Sequence, residues 1–448
     1  MTNYVIVGDS IAANSAAARI HDLDPNSPIT MISREPDPYY SRCALMYYVM
    51  DHCDREDIYI AQKGHYERMN ATKVFDEAID VDVAAHRLIC REGEYDYDKL
   101  LIACGAEDRL LAVENEDADG IYGFINLRDA DAILHDLPHC EKAIVTGGGL
   151  IGAEAAEVFI ECGIECDFYI RAPYYYHNFC SHEQSRIIED RFRHHGVKMH
   201  LRRTIEGFEK DESGRVSAAI DSEGDRIPCD IAVRAIGVEP AIGWLENSAV
   251  EIDRGVIVNQ RMENAAEDVW AAGDCVEVHY PDQAPEIVKL WYTARPMGWV
   301  AGENMASADG PGDAIYEEEQ QYQTAMFTDL DFASYGEMPT EENDLEPHNI
   351  TAANEYDSVM LVHDGHIVVG CSVLGRALTM EDTEHIVDSQ MPLADATEAC
   401  ESVLTGGMYD RAPKNRIAKR DPLSRRPPLW PFGSERAQKG LWKLTGGF

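Results

Sequence analysis

Residues 143–152, with the sequence AIVTGGGLIG, join a short apolar run to a cluster of glycines. Gly147, Gly149 and Gly152 have the spacing GxGxxG, directly after the apolar run. This spacing gives a tight turn, lets the backbone approach a pyrophosphate closely, and leaves the free N–H groups of a helix N-terminus facing the anion. The stretch therefore predicts a strand, a turn that binds a dinucleotide, and a helix to about residue 162.

The next predicted strand, residues 165–170, bears on which nicotinamide dinucleotide this turn would bind. An NAD site usually has an acidic residue at the end of the strand, where it accepts hydrogen bonds from the ribose hydroxyls. This chain has Ile170 followed by Arg171. Because a guanidinium can accommodate a 2′-phosphate, Arg171 favours NADPH over NADH.

A second unit of the same kind begins near the first residue of the chain. Residues 4–7 are apolar and lead through Gly8, Ser10 and Ala13 into an alanine-rich segment that reaches about residue 21. The spacing here is GxSxxA, so small residues replace two of the three glycines. A dinucleotide turn is predicted, and an ordinary strand–helix turn is the alternative.

The following strand of this unit is predicted at residues 29–33, and Glu35 comes just after it. Glu35 is the candidate acid for a ribose diol, and a solvent-facing loop charge is the alternative. Two such units in one chain imply two nucleotides held face to face. The natural pair is a flavin dinucleotide and a nicotinamide dinucleotide, bound by an α/β fold.

Five further segments carry a resemblance to a known family. They are residues 95–106, 233–240, 254–258, 268–274 and 289–305. With the two glycine turns, they resemble the FAD-dependent pyridine nucleotide–disulfide oxidoreductase family. The resemblance implies two Rossmann-like dinucleotide-binding domains, for FAD and NAD(P), and a C-terminal α+β interface domain that forms a homodimer.

The same resemblance implies domain bounds and cofactor contacts. The bounds are 1–112 and 239–315 for the two FAD-binding segments, 113–238 for the NAD(P)-binding domain, 316–410 for the interface domain and 411–448 for a tail. The implied contacts with the flavin and nicotinamide cofactors are at Ala103, Gly105, Gly237, Gly273 and Asp274. Asp274 would bind the ribityl chain of the flavin.

Residues 39–49, YYSRCALMYYV, contain the candidate catalytic residue, Cys43. The spacing CxLxYY resembles coenzyme A–disulfide reductases and NADH oxidases, which carry a single redox cysteine beside the flavin. The preceding YSR resembles the rubredoxin-reductase and nitrite-reductase-like branch, which lacks that cysteine. We expect Cys43 to begin a helix whose dipole, together with Arg42, favours the thiolate, and we place Arg42 among the cofactor-binding residues. A purely structural Cys43 is the alternative.

The predicted reaction follows from this arrangement. NAD(P)H would bind at the 147–152 turn, with Glu154 near the carboxamide as the resemblance implies, and pass hydride to the flavin and on to Cys43. The acceptor would be a small molecule: a disulfide, persulfide, polysulfide or oxygen. One alternative is an electron-transfer flavoprotein that serves a rubredoxin-like or iron–sulfur partner. Another is a flavin-binding scaffold without a working nicotinamide site. A tyrosine of the other subunit assists in single-cysteine relatives, and the sequence does not choose among Tyr322, Tyr335, Tyr356 and Tyr409.

Charge and composition exclude other classes of function. The chain has 39 basic and 81 acidic residues, a net charge of −42, which argues against nucleic acid as a partner. The charge is divided unevenly, because residues 1–410 carry −50 and the tail 411–448 carries +8. We expect the tail to bind an acidic protein surface, either a partner's or this protein's own.

The twelve cysteines show no metal-binding or CxxC spacing, so no metal site is predicted. No apolar run reaches the ~18 residues of a membrane span. The chain passes directly into a predicted strand with no basic leader, so we expect a cytoplasmic protein.

Overall fold

The computed structural model describes residues 1–281, 283–307, 312–317, 322–340, 343–352, 356–375 and 378–405. The tail 411–448 and Tyr409 lie outside the described residues. Three five-stranded sheets, two parallel and one antiparallel, organise the chain. The predicted α/β class with a C-terminal α+β domain is confirmed.

The elements of the first third of the chain are β1 (Tyr4–Val7), α1 (Ile11–Leu23), β2 (Ile29–Ser33), α2 (Leu45–Val49), β3 (Ala71–Phe75), β4 (Ala78–Asp82), β5 (Arg87–Cys90), β6 (Glu94–Asp96), β7 (Lys99–Ile102) and β8 (Ala106–Asp108). Those of the middle are β9 (Ile121–Tyr122), α3 (Leu127–Asp136), β10 (Lys142–Thr146), α4 (Leu150–Glu161), β11 (Glu165–Ile170), α5 (His182–His194), β12 (Lys198–Leu201), β13 (Ile205–Lys210), β14 (Val216–Asp221), β15 (Arg226–Pro228) and β16 (Ile231–Arg234).

The chain then continues with β17 (Val238–Pro240), β18 (Val256–Val258), β19 (Val269–Ala271), β20 (Val276–Val278) and α6 (Trp291–Ala306). The last elements are β21 (Tyr322–Phe327), β22 (Leu330–Gly336), β23 (Glu346–Thr351), β24 (Ser358–His363), β25 (Val368–Leu374), α7 (Met380–Asp388) and α8 (Leu393–Thr405).

Two parallel sheets have the same plan. The first has the order β19-β7-β1-β2-β3, and the second has the order β12-β11-β10-β16-β9. In each, the strand before a glycine turn lies at the centre, so the turn emerges at the carboxyl edge of the sheet, where ligands of α/β folds bind. The chain leaves the half of the molecule that contains the first sheet through β8 and returns to it through β17, after forming the half that contains the second sheet. Strands β8 and β17 pair as an antiparallel ribbon that joins these two halves.

The C-terminal sheet is antiparallel, with the order β21-β22-β25-β24-β23, and α7 and α8 cover it. Every residue of β24 is buried. Strands β24 and β25 pair in this sheet as an antiparallel hairpin. No helix within the described part of the chain is long and apolar enough to cross a membrane.

Helices α1 and α6 pack closely because both are lined with small residues. A Cβ at Gly298 would lie 2.1 Å from the carbonyl oxygen of Ala12, and one at Gly302 would lie 2.6 Å from that of Ala16. The two glycines therefore let the helix backbones touch. This packing holds the N-terminus of α1 against the segment that follows β19, since a Cβ at Gly273 would lie 3.0 Å from that of Ala12.

Gly298→Ala tests this packing. Alanine is the better helix former by about 1 kcal/mol, so a destabilised variant would report the clash alone. We expect the free energy of unfolding to fall by about 1–3 kcal/mol. Gly243→Ala is the matched control, because a Cβ there meets no atom within 4 Å. Denaturant unfolding of both holoproteins measures the difference, and equal stability of the two variants would contradict the account.

Candidate functional site

The first glycine of each turn is dictated by the end of a neighbouring strand. Gly8 has φ +126° and Gly147 has φ +121°, in the region that favours glycine. A Cβ at Gly8 would lie 2.1 Å from the carbonyl oxygen of Ala103, and one at Gly147 would lie 2.0 Å from that of Ala235. The turns therefore pass directly over the carboxyl ends of β7 and β16, which forms a backbone cradle at each sheet edge.

The remaining positions of the first turn lie where the sequence predicts them. Ser10 is the N-cap of α1, and Ala13 is fully buried within the helix packing. The Ser10 side chain makes no capping hydrogen bond. The small residues of GxSxxA thus keep the helix N-terminus open toward a ligand while α1 packs against α6.

A buried charge network next to the first turn was not predicted. The Asp9 carboxylate accepts a hydrogen bond from Tyr66 at 2.7 Å and pairs with the Lys73 ammonium at 2.8 Å. Asn14 also donates to Asp9, at 3.0 Å. Lys73 comes from β3, two strands away from β1, so no sequence pattern near residue 9 points to it. The Lys73 ammonium therefore balances the charge of the Asp9 carboxylate next to the N-terminus of α1.

Glu35 and Arg42 are bound to each other. The Arg42 guanidinium lies 2.5 Å from one Glu35 oxygen, and the Tyr40 hydroxyl donates to the other at 2.5 Å. Arg42 also donates to the backbone oxygen of Ile125, and Tyr40 accepts from the backbone N–H of Leu127. This group joins the end of β2 to the start of α3, across the two halves of the molecule.

Asp274 lies at the carboxyl edge of the first sheet, directly after Gly273, which has φ +84°. Burial raises the pKa of its carboxyl group to about 6, against the opposing charges of Arg42 and Lys289. Among the described residues, none donates a hydrogen bond to this carboxylate. A half-buried carboxylate that lacks donors is costly, and ligand hydroxyls would supply them. The residue fits the predicted contact with a flavin ribityl chain.

The second turn also leaves space for a ligand. Gly149 is the N-cap of α4, and a Cβ there would meet no protein atom within 4 Å. Gly152 is required by the turn itself, because its Cβ would lie 2.1 Å from the carbonyl oxygen of Gly147. Ile170 is buried in the core and Arg171 is exposed just beyond β11. Within the described residues, Arg171 has no acidic partner.

One further glycine lies just beyond each strand that neighbours a glycine turn, at the carboxyl edge of its sheet: Gly105 after β7 and Gly237 after β16. Gly105 has φ +72° and Gly237 has φ +107°, and a Cβ at either would meet no protein atom within 4 Å. The backbone at both positions is thus open to close approach.

Strands β2 and β11 have the bounds that the sequence predicts, and α4 ends one residue before the predicted position.

Cys43 lies where the two nucleotide edges meet. Its thiol interacts electrostatically with Glu154, in the N-terminal half of α4, and with Asp274, after β19. The residue is exposed, although protein groups crowd around the sulfur. Glu154 has no hydrogen-bond donor among the described residues, and burial raises the pKa of its carboxyl group to about 7.

The protein groups around Cys43 do not favour the thiolate that the sequence predicts. Burial raises the pKa of the thiol to about 11, and the charges of Glu154 and Asp274 add to the rise. Arg42 opposes it weakly, since its guanidinium is held by Glu35. Cys43 lies in a 3-10 turn, Arg42–Ala44, and α2 begins only at Leu45 and has five residues. The helix dipole at the thiol is correspondingly small.

The candidate tyrosines of the C-terminal domain lie in different surroundings. Tyr335 donates to Asp388 at 2.9 Å, and Tyr356 lies under the Arg191 guanidinium. Tyr322 packs on Tyr292 near the start of α6, with ring centroids 4.6 Å apart.

Comparison with known proteins gives the same identification of the fold. The chain is 28% identical to an NADH oxidase of Methanocaldococcus jannaschii over 320 residues, which are 68% of this chain and 70% of the relative. It is 26% identical to the 5,5'-dehydrodivanillate O-demethylase ferredoxin reductase subunit of Sphingobium sp. over 415 residues, 88% of this chain and 98% of that subunit. The match to a nitrite reductase [NAD(P)H] of Bacillus subtilis covers 61% of this chain and 34% of that protein.

A solved NAD-dependent persulfide reductase from A. fulgidus superimposes with a TM-score of 0.77, at 22% identity, over 88% of this chain and 78% of the other. The family model described as Pyridine nucleotide-disulphide oxidoreductase matches residues 2–298. That span contains both glycine turns, Cys43 and Asp274. The chain therefore belongs to the pyridine nucleotide-disulphide oxidoreductase family and is an FAD-dependent NAD(P)H oxidoreductase.

Proposed function

We propose that this enzyme reduces a small sulfur acceptor, such as a disulfide, persulfide or polysulfide, through Cys43. The observation that carries the proposal is that Cys43 is exposed and that its thiol interacts electrostatically with Glu154 of the nicotinamide-binding half and with Asp274 of the flavin-binding half. A sulfur nucleophile at this junction can exchange with an acceptor from solvent. Oxygen is an alternative acceptor.

The residues of this chain would have separate roles in cofactor binding and proton transfer. The turn Gly147–Gly152 holds NAD(P)H and the turn at Gly8 holds FAD, with Asp274 on the ribityl chain. FAD, when bound, supplies the two-electron chemistry that links a hydride donor to a sulfur acceptor. Glu154 lies on the nicotinamide side of Cys43 and, with a pKa of about 7, can hold or release a proton near neutral pH.

The sulfur step balances with NAD(P)H as the reductant. The Cys43 thiolate attacks a disulfide RSSR, forms the Cys43–S–SR bond and expels RS⁻. The two electrons of NAD(P)H then return Cys43 to the thiolate and release a second RS⁻. The net reaction is RSSR + NAD(P)H + H⁺ → 2 RSH + NAD(P)⁺. Because burial raises the pKa of Cys43 to about 11, the thiol has to lose its proton before the first step at neutral pH.

A second candidate function is electron transfer to a rubredoxin-like or iron–sulfur protein. Three aromatic side chains favour it. Trp291 and Tyr292 begin α6 with ring centroids 5.5 Å apart, and Tyr292 contacts Tyr322 of the C-terminal sheet. They connect the flavin-binding part of the chain to the C-terminal domain without involving Cys43.

The chain also has features that bear on its assembly and its cofactor preference. We propose a homodimer through the C-terminal sheet, and an acidic surface, its own or a partner's, as the binding site of the basic tail 411–448.

Exposed Arg171 supports a preference for NADPH. All twelve cysteines are free, as in proteins of a reducing compartment such as the cytoplasm.

Gly149→Ala tests the nicotinamide turn. Since the added methyl group meets no protein atom, stability and FAD content should stay unchanged. The methyl group would obstruct the pyrophosphate, so we expect KM for NAD(P)H to rise at least about tenfold, a loss of about 1.4 kcal/mol. Steady-state kinetics with both NADH and NADPH measure it. An unchanged KM for both cofactors would contradict binding of the nicotinamide nucleotide at this turn.

Cys43→Ser separates the two candidate functions. We expect disulfide-dependent NAD(P)H oxidation to fall by at least about a thousandfold, because a hydroxyl cannot replace the thiolate in disulfide exchange. Reduction of ferricyanide, which needs no thiol, should persist, and FAD content should not change. Disulfide turnover that survives in the variant would favour the protein-partner function and a structural role for Cys43.

Glu154→Gln tests the electrostatic origin of the high Cys43 pKa. The Cys43 peptide should be alkylated by iodoacetamide with a midpoint near pH 11 in the unmodified holoenzyme. Removal of the Glu154 charge should shift that midpoint to lower pH, because an adjacent carboxylate disfavours the thiolate. Mass spectrometry of the Cys43 peptide across pH measures both.

Glu157→Gln is the matched control, since Glu157 lies on the same helix and its charge is not among the causes of the Cys43 shift. A midpoint near neutral pH in the original enzyme, or equal shifts in the two variants, would overturn this account of the thiol.

A further inference from the structure

Two other cysteines lie together at the carboxyl edge of the flavin sheet. Cys104 follows the end of β7, and Cys275 follows the end of β19. The two strands are parallel neighbours in register, with Ala271 opposite Ile102. Both thiols therefore emerge at the same edge, where the Ala272 N–H donates to the Ile102 carbonyl.

The contacts of the sulfur atoms bring the pair together. Cys275 Sγ lies 3.5 Å from the carbonyl oxygen of Ile102, and Cys104 Sγ lies 3.3 Å from that of Ala241. The two thiols hydrogen-bond to each other. Neighbouring thiols that follow adjacent parallel strands are an arrangement from which a disulfide can form.

The two thiols are chemically unequal. The hydrogen bond from Cys275 lowers the pKa of Cys104, and Trp244 and the charge of Arg34 act in the same direction. The same hydrogen bond, with burial, raises the pKa of Cys275. Cys104 is half-buried, whereas Cys275 is fully buried. Cys104 is thus the thiol that an oxidant reaches first, and Cys275 is the second thiol, which would react with the oxidised Cys104.

We propose that Cys104 and Cys275 form a redox modification site, separate from Cys43, which a peroxide converts to an internal disulfide. The Cys104 thiolate attacks the peroxide ROOH and becomes a sulfenic acid, with release of ROH after proton uptake. The Cys275 thiol then displaces water and forms the Cys104–Cys275 bond. The net reaction is two thiols plus ROOH giving the disulfide, ROH and water.

The position of the pair gives this bond a structural consequence. Cys104 lies between Ala103, which contacts the Gly8 turn, and Gly105, and Cys275 directly follows Asp274. A disulfide would fix these two segments to each other at the flavin edge. It would also close a loop of roughly 170 residues, which restricts the unfolded chain and raises stability.

The test uses the FAD-loaded full chain in a Cys43→Ser background, which leaves eleven thiols. Hydrogen peroxide is added, the reaction is quenched, and the remaining thiols are alkylated in denaturant and mapped by mass spectrometry. We expect two thiols to be lost and a Cys104–Cys275 cross-linked peptide to form. A reducing agent should restore both thiols, and the oxidised protein should have a higher thermal midpoint than the reduced one.

The matched control is Cys275→Ala in the same background. Peroxide should then leave Cys104 as an uncoupled sulfenic acid or an over-oxidised sulfur, with no rise in thermal midpoint. If that variant does not fold, Cys104→Thr serves instead, with Cys275 remaining alkylatable. The proposal is overturned if both thiols stay alkylatable after peroxide, or if Cys104 is over-oxidised while Cys275 is present. Neither result depends on NAD(P)H turnover or on the role of Cys43.

Discussion

Both nucleotide edges depend on a backbone carbonyl that occupies the place of a side chain. The oxygen of Ala103 lies where Gly8 would carry its Cβ, and the oxygen of Ala235 lies where Gly147 would carry its own. The same contact recurs between α1 and α6, where the oxygen of Ala12 excludes a side chain at Gly298. Close backbone approach therefore sets the geometry of both turns, and the helix N-termini follow from it.

Electrostatics at the junction of these edges works against an ionised thiol. Cys43 faces the carboxylates of Glu154 and Asp274, while the nearest guanidinium, Arg42, is bound by Glu35. Two carboxyl groups of this acidic chain thus interact with its candidate nucleophile. The arrangement favours chemistry in which the thiol is activated late, after an acceptor or cofactor has changed the local charge, rather than a permanently poised thiolate.

Local patterns predicted the strands and turns well, because a glycine spacing or an apolar run acts over a few residues. Strand β11 has the predicted bounds for this reason. The raised pKa of Cys43 was not predicted because it depends first on burial and then on Glu154 and Asp274, which are distant in sequence. The pairing of Asp9 with Lys73 was missed for the same cause: strand order, not sequence spacing, brings the two together.

The most direct test of the account starts from holoenzyme in which Cys43 has first been converted to a mixed disulfide with a small thiol, and records the absorption spectrum while two electrons are added anaerobically. Those electrons should cleave the Cys43 disulfide and leave the flavin oxidised. A thiolate in contact with oxidised flavin gives a long-wavelength charge-transfer band. The account predicts such a band, stronger as the pH rises toward the Cys43 pKa of about 11 and absent in Cys43→Ser. Complete flavin reduction without the band at any pH would place Cys43 outside the electron path and contradict the central claim.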